Sequence, residues 1–222
     1  MFLLMQLELS KFKIKKYILC AVFIMIGICL FATISLFAIA QDHATNYENS
    51  IKMINAVIID CYLIFGGILI IKVIVEEYLK KTISVLFTYS VDRYKLMLSK
   101  VILILCITNI AWLITEIVSI SYLVTVGNRL GLALNEFNAG DFIYWLIQLG
   151  WGFMIMICFI LLIVDVAFIK KTSQYVFLSS LLSIVVVQVI ISQNLEKSVV
   201  YLGILALLIT MLSIKKFSGR IE

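Results

Sequence analysis

Three carboxylates stand in the middle of apolar runs: Asp60 in "AVIIDCYLIF", Glu116 in "AWLITEIVSI" and Asp165 in "ILLIVDVAFI". A charged group at the centre of a bilayer costs a few kcal/mol on insertion scales, so such residues face a bundle interior or a polar path. Asp60 lies nine residues inward from Ile51, and Glu116 ten inward from Val126. At about 1.5 Å per helical residue both sit some 14 Å below one surface, level with each other. Two readings stay open for the pair. Each is neutral or hydrogen-bonded to a neighbouring helix and serves packing, or both border a substrate path. Asp165 lies five residues before Lys170, close enough to a membrane face to snorkel, which favours a structural role.

Other reactive chemistry is missing. A phosphate-binding loop needs GxxxxGK[ST], and none of the ten glycines is followed by lysine. The chain is therefore no motor of its own. Zinc hydrolysis and Ser-His catalysis both need histidine, and the single histidine, His43, falls in a polar connection. No catalytic residue, metal ligand or chain-bound cofactor is expected. The five cysteines, Cys20, Cys29, Cys61, Cys106 and Cys158, fall inside apolar runs without CxxC spacing and read as packing residues.

The elements that hold these residues follow from composition. The 222 residues are 64% hydrophobic and 14% charged, with no proline, against about 25% charged in soluble domains. A membrane-spanning helix needs about 20 mostly apolar residues. The runs give an all-α membrane protein of one transmembrane domain over 1–222, with spans near 17–40, 51–74, 98–126, 141–169, 173–192 and 197–214. Residues 1–16 mix apolar and basic positions and read as an interfacial helix. Gly66, Gly67, Gly150 and Gly152 permit close helix contact. Tyr144 and Trp145 fall near an outer boundary, where aromatic rings act as anchors.

Cytoplasmic loops near a membrane carry the excess of Lys and Arg. With six spans and an inner N-terminus, only Lys52, Arg129 and Lys197 of the 18 basic residues fall outside. Both termini are then cytoplasmic. The net charge of +5 is a matter of topology and of attraction to anionic lipid, and calls for no nucleic-acid partner.

Between the second and third spans lies "EEYLKKTISVLFTYSVDRYKLMLSK", Glu76 to Lys100. Ile83, Leu86, Phe87, Val91, Tyr94 and Leu98 make one helical stripe, while Lys81, Ser84, Thr88, Asp92, Lys95 and Ser99 line the other face. Such a helix, over 76–97, either rests on lipid headgroups or docks in the groove of a partner.

This stretch resembles the cytoplasmic loop of ABC-2 type permeases, the membrane subunits of ABC exporters. There the loop commonly reads as Glu, a basic or polar residue, Gly-Thr, a leucine-rich stretch, Pro-x-x-Arg, an apolar turn and Lys. Glu77, Thr82, Leu86, Arg93 and Lys100 match, while Lys81 and Ser90 replace the usual glycine and proline. Isoleucine- and lysine-rich usage without proline is similar to that of small bacterial peptide-exporter permeases, such as those of lantibiotic immunity and phenol-soluble modulin export.

The resemblance implies a coupling helix between spans two and three, with Glu76, Glu77, Thr82, Leu86, Arg93 and Lys100 orienting it against a separate ABC ATPase subunit. ATP and magnesium would belong to that ATPase. A second permease subunit, identical or paralogous, would complete a path in the bacterial cell membrane for an amphipathic peptide or other hydrophobic substrate. Two competitors remain: a motor-independent carrier or channel using the intramembrane carboxylates, and a non-transporting immunity or binding protein.

Overall fold

The computed structural model of the chain describes residues 14–41, 47–79, 93–130, 139–193 and 196–219. Residues 1–13, which hold most of the expected interfacial helix, lie outside them. So do residues 80–92, with Thr82, Leu86 and Ser90 of the expected coupling helix.

Everything described is helical apart from two short turns. In order, the elements are α1 (Ile14–Gln41), α2 (Tyr47–Ile70), a π-helical turn (Ile71–Val75), α3 (Glu76–Leu79), α4 (Arg93–Leu130), α5 (Ala139–Lys170), α6 (Ser173–Ser192) and α7 (Glu196–Gly219). The physical reason is twofold. A segment in hydrocarbon must satisfy its own backbone, which a helix does, and a chain with no proline never loses an N–H or meets a ring clash inside a helix. Span-lining hydroxyls obey the same rule: Thr108, Thr115 and Ser119 donate to carbonyls of their own helix, at Ile104, Ala111 and Thr115.

Five helices are long and apolar enough to cross a membrane, over Lys16–Ile34, Ser50–Val75, Lys95–Val126, Ala139–Lys170 and Ser173–Ser192. The sequence suggests a sixth. Within α7 an apolar stretch runs over Tyr201–Ile214.

The chain divides into two compact units, 15–61 with 110–153, and 62–109 with 154–222 and the first residues. Helices α2, α4 and α5 contribute to both. The 15–61/110–153 unit is built around Ile51, Ile54, Ile58, Trp112, Leu123 and Trp145, all buried. Within it, a Cβ on Gly152 would meet the Trp112 ring at 2.8 Å, so only glycine lets α5 lie against that indole. Trp112 also stacks at a tilt on Phe153, with centroids 6.4 Å apart.

The other unit packs Tyr62, Phe65, Leu69, Val101, Ile104, Ile160 and Val164 in its core. A Cβ on Gly67 would lie 3.0 Å from Cβ of Ser180, a close approach of α2 and α6. The π turn sets the direction in which α3 faces. Such a turn widens the helix and takes in an extra residue, and here Val73, Ile74 and Val75 are buried in succession. The backbone stays right-handed at Ile70 and Glu76, so α2 runs into α3 without a break.

Between α5 and α6 the chain turns on Lys171, which has φ of 53°. A non-glycine residue there costs about 1–2 kcal/mol. The Lys171 N–H donates to the Ala167 carbonyl at 3.0 Å, closing the helix end. The Lys170 ammonium sits 5.3 Å from the centre of the Tyr175 ring, and both lysines lie at the negative end of α5's dipole.

Large apolar side chains nevertheless face outward, among them Ile18, Leu19, Phe23 and Leu30 of α1, Ile110 and Ile114 of α4, Ile143 and Ile147 of α5, Leu178, Leu182 and Val185 of α6, and Leu208 and Leu212 of α7. Exposed apolar area on this scale marks a surface meant for lipid or another protein.

Candidate functional site: the buried charges of the spans

The loop motif holds a deeply buried ion pair. The Lys100 ammonium pairs with Oε2 of Glu77, joining α4 to α3 across 23 positions of sequence. Both are buried, Lys100 at 1% exposure and Glu77 at 6%. Their neighbours explain the depth: Val73, Ile74 and Val75 of the π turn, and Leu96, Met97, Ser99 and Val101 of α4, are all buried too. The adjacent Glu76 behaves differently. Its carboxylate pairs with Lys72 one turn back, and in this pair the Lys72 side chain is 47% exposed and that of Glu76 29%. Neighbouring glutamates thus separate into an inner pair between helices and an outer pair along one helix. Arg93 is the first residue of α4, while Thr82 and Leu86 lie outside the described residues.

Asp165, only 4% exposed, accepts a hydrogen bond from the Ser213 hydroxyl at 2.7 Å, which ties α5 to α7. The same hydroxyl lies 3.0 Å from the Thr210 carbonyl. Burial answers the snorkelling expectation: Asp165 bonds inward to a neighbouring helix.

In the 15–61/110–153 unit, Glu116 is 3% exposed. It lines a cavity of about 10 Å³ with Ile51, Ile54, Ser119, Ile120, Leu123 and Trp145, room for about one water-sized group. Among the described residues nothing hydrogen-bonds to Glu116 Oε1, nor to the indole N–H of Trp145. Trp145 is therefore an interior residue here, whereas its place in the sequence suggests an interfacial anchor. Asp60 is half-buried in the same unit and is not among the residues lining the Glu116 cavity. A polar bridge crosses this unit elsewhere, from Nδ2 of Asn55 in α2 to the Gln148 carbonyl of α5, at 3.4 Å.

Among the described residues no three His, Cys, Asp or Glu side chains gather as metal ligands. Sequence reasoning misses Ser213 and the burial of Trp145. Ser213 carries no signal beyond being a hydroxyl in an apolar run, and the position of Trp145 along its helix speaks only of depth.

A multi-pass helical membrane protein with ionisable residues buried among its helices is the class that fold and site define. The family follows from comparison: the model described as ABC-2 family transporter protein matches residues 4–189, and the chain belongs to that family. It is also similar to a Bacillus subtilis (strain 168) protein named Uncharacterized protein YcbO, with 29% identity over 117 residues. That match covers 51% of this chain and 51% of the relative, so the chain spans about half the length of the curated relative it matches. No solved structure matches the chain.

Proposed function

We propose that this chain is the permease subunit of an ATP-driven exporter in the cell membrane, both termini cytoplasmic, worked by a separate ABC ATPase. Residues 76–97 form the coupling helix in this reading, and Glu76, Glu77, Thr82, Leu86, Arg93 and Lys100 orient it. A second permease subunit completes the path. The cargo is an amphipathic peptide or other hydrophobic substrate, and Asp60, Glu116 and Asp165 are the polar groups available along the spans.

The observation that carries the proposal is the buried Glu77–Lys100 pair. It fastens together the two helix ends from which residues 80–92 depart, and a fastened loop transmits a push where a loose one absorbs it. The family match supports the same reading, and the distribution of lysine and arginine supports an inner location for the loop.

The test is purification of the chain in detergent after co-expression with a candidate ABC ATPase from the same genome. The ATPase should be retained, and its hydrolysis rate should differ from that of the isolated subunit. A chain that neither holds the ATPase nor changes its rate is no permease for it.

A further inference from the structure

We propose that the cavity beside Glu116 is a binding site for a single water molecule, held by Glu116 Oε1, the Trp145 indole N–H and the Ser119 hydroxyl oxygen, and that this water links α4 to α5. The proposal concerns the 15–61/110–153 unit alone and does not depend on the permease reading above.

Three helices of that unit meet at the cavity. Ile51 and Ile54 come from the beginning of the apolar span of α2, Trp145 from the second turn of α5, and Glu116, Ser119, Ile120 and Leu123 from α4. The α4 residues are spaced three, four and seven apart from Glu116, which puts them on one face of that helix. Ile51, Ile54, Ile120 and Leu123 present only hydrocarbon side chains. The polar side chains of the lining are therefore Glu116, Ser119 and Trp145.

These three do not satisfy one another. Glu116 is 3% exposed and Trp145 9%, and among the described residues neither Oε1 of the one nor the indole N–H of the other has a hydrogen-bond partner. The Ser119 hydroxyl donates its proton to the Thr115 carbonyl, which leaves its oxygen free to accept. Buried donors and acceptors without partners are costly and rare. A water answers all three: it accepts from the indole N–H and gives its two protons to Glu116 Oε1 and Ser119 Oγ. About three hydrogen bonds is the usual complement of an internal water.

Volume and polarity reject other guests. The cavity of about 10 Å³ has room for about one water, far below the roughly 300–1,000 Å³ of a site for an organic ligand. Calcium or magnesium takes roughly six or more oxygen ligands. This lining offers one carboxyl group, one hydroxyl and an N–H whose positive hydrogen opposes a cation.

The test is nuclear magnetic resonance on the full chain in detergent, with its three tryptophans isotopically labelled at the indole nitrogen. The Trp145 signal is assigned by its loss in Trp145→Phe, or by elimination from Trp112→Phe and Trp151→Phe. In the wild type the Trp145 indole proton should show cross-relaxation with a water that stays bound longer than the protein takes to tumble. Glu116→Leu removes the acceptor and fills the space with hydrocarbon, and should abolish that signal. Glu116→Gln keeps a carbonyl oxygen and should retain it to within about twofold.

A Trp145 indole proton without a resident water in the wild type overturns the proposal, as does a signal that survives Glu116→Leu undiminished. Should Glu116→Leu not fold, the wild-type signal alone still decides for or against the water. A second measurement needs no variant: replacing choline chloride with sodium chloride should leave the Trp145 indole resonance in place. A shift that saturates with sodium would make the guest a cation and refute the water site.

Discussion

The two compact units differ in the contacts that join their helices. The unit of 62–109 and 154–222 joins its helices through side chains that answer each other: Glu77 with Lys100, and Asp165 with Ser213. The unit of 15–61 and 110–153 is assembled by shape, with Gly152 against Trp112 and Trp112 against Phe153. Buried atoms without hydrogen-bond partners among the described residues occur in both units: Oγ of Ser50, Oε1 of Glu116 and the indole N–H groups of Trp112 and Trp145 in this one, Oδ1 of Asn109 and Oδ2 of Asp165 in the other. One unit leans on side chains that answer each other, the other chiefly on shape.

The largest effect expected from breaking this contrast is at Lys100. Lys100→Met leaves the Glu77 carboxylate buried without its cation, a change that typically costs about 3–5 kcal/mol. In a chain of this length that corresponds to roughly 10 °C in Tm, measurable by thermal unfolding in detergent. The double variant with Glu77→Gln should recover most of the loss, because no buried charge remains. A single variant as stable as the wild type would mean that the pair carries no burial penalty.

Gly152→Ala probes the other unit. The new Cβ would lie 2.8 Å from the Trp112 ring, and overpacking of this kind costs about 1–3 kcal/mol. The indole is rigid and buried, so relief requires a helix shift. Trp112→Phe in the same chain should recover part of the loss by shortening the ring that the methyl meets, and the same thermal assay reads both.

Ser213→Ala should cost about 1 kcal/mol, the usual net worth of one intramolecular hydrogen bond. Asp165 then loses the hydroxyl of α7 that answers it. The contrast with Lys100→Met is the informative quantity: a lost neutral donor against a lost cation, each opposite a buried carboxylate.

How far these arrangements can be read from sequence depends on the kind of interaction. The all-helical membrane class follows from runs such as "GFMIMICFILLIVDVAFIK", because helix length and bilayer thickness are the same constraint. The acidic residues are equally visible, since any carboxylate in such a run is conspicuous. Their partners are not. Glu77 and Lys100 both belong to the loop motif, yet nothing in a linear pattern says that residues 23 apart meet each other. The π turn that brings them together has no composition of its own, "IKVIV" being an ordinary helical string. Trp145 shows the complementary error. Depth along a helix is legible by counting residues, and the face on which a ring lies is settled only by its neighbours.

The smallest expected effect is at Glu116, where Gln keeps the shape and removes the acid. If the cavity of Ile51, Ile54, Ser119, Ile120, Leu123 and Trp145 holds a neutral carboxyl group, the amide replaces one uncharged polar group with another. The change should stay below about 1 kcal/mol, or a shift of roughly 2–4 °C at most. A much larger drop would show that Glu116 is ionised and held by a cation from outside the described residues, which would make this unit a paired one like the other. Stability unchanged while ATP-coupled activity falls would place Glu116 on the working path of the transporter. The two measurements together separate a packing carboxyl from a functional one, because packing reports in Tm and a path residue reports in turnover.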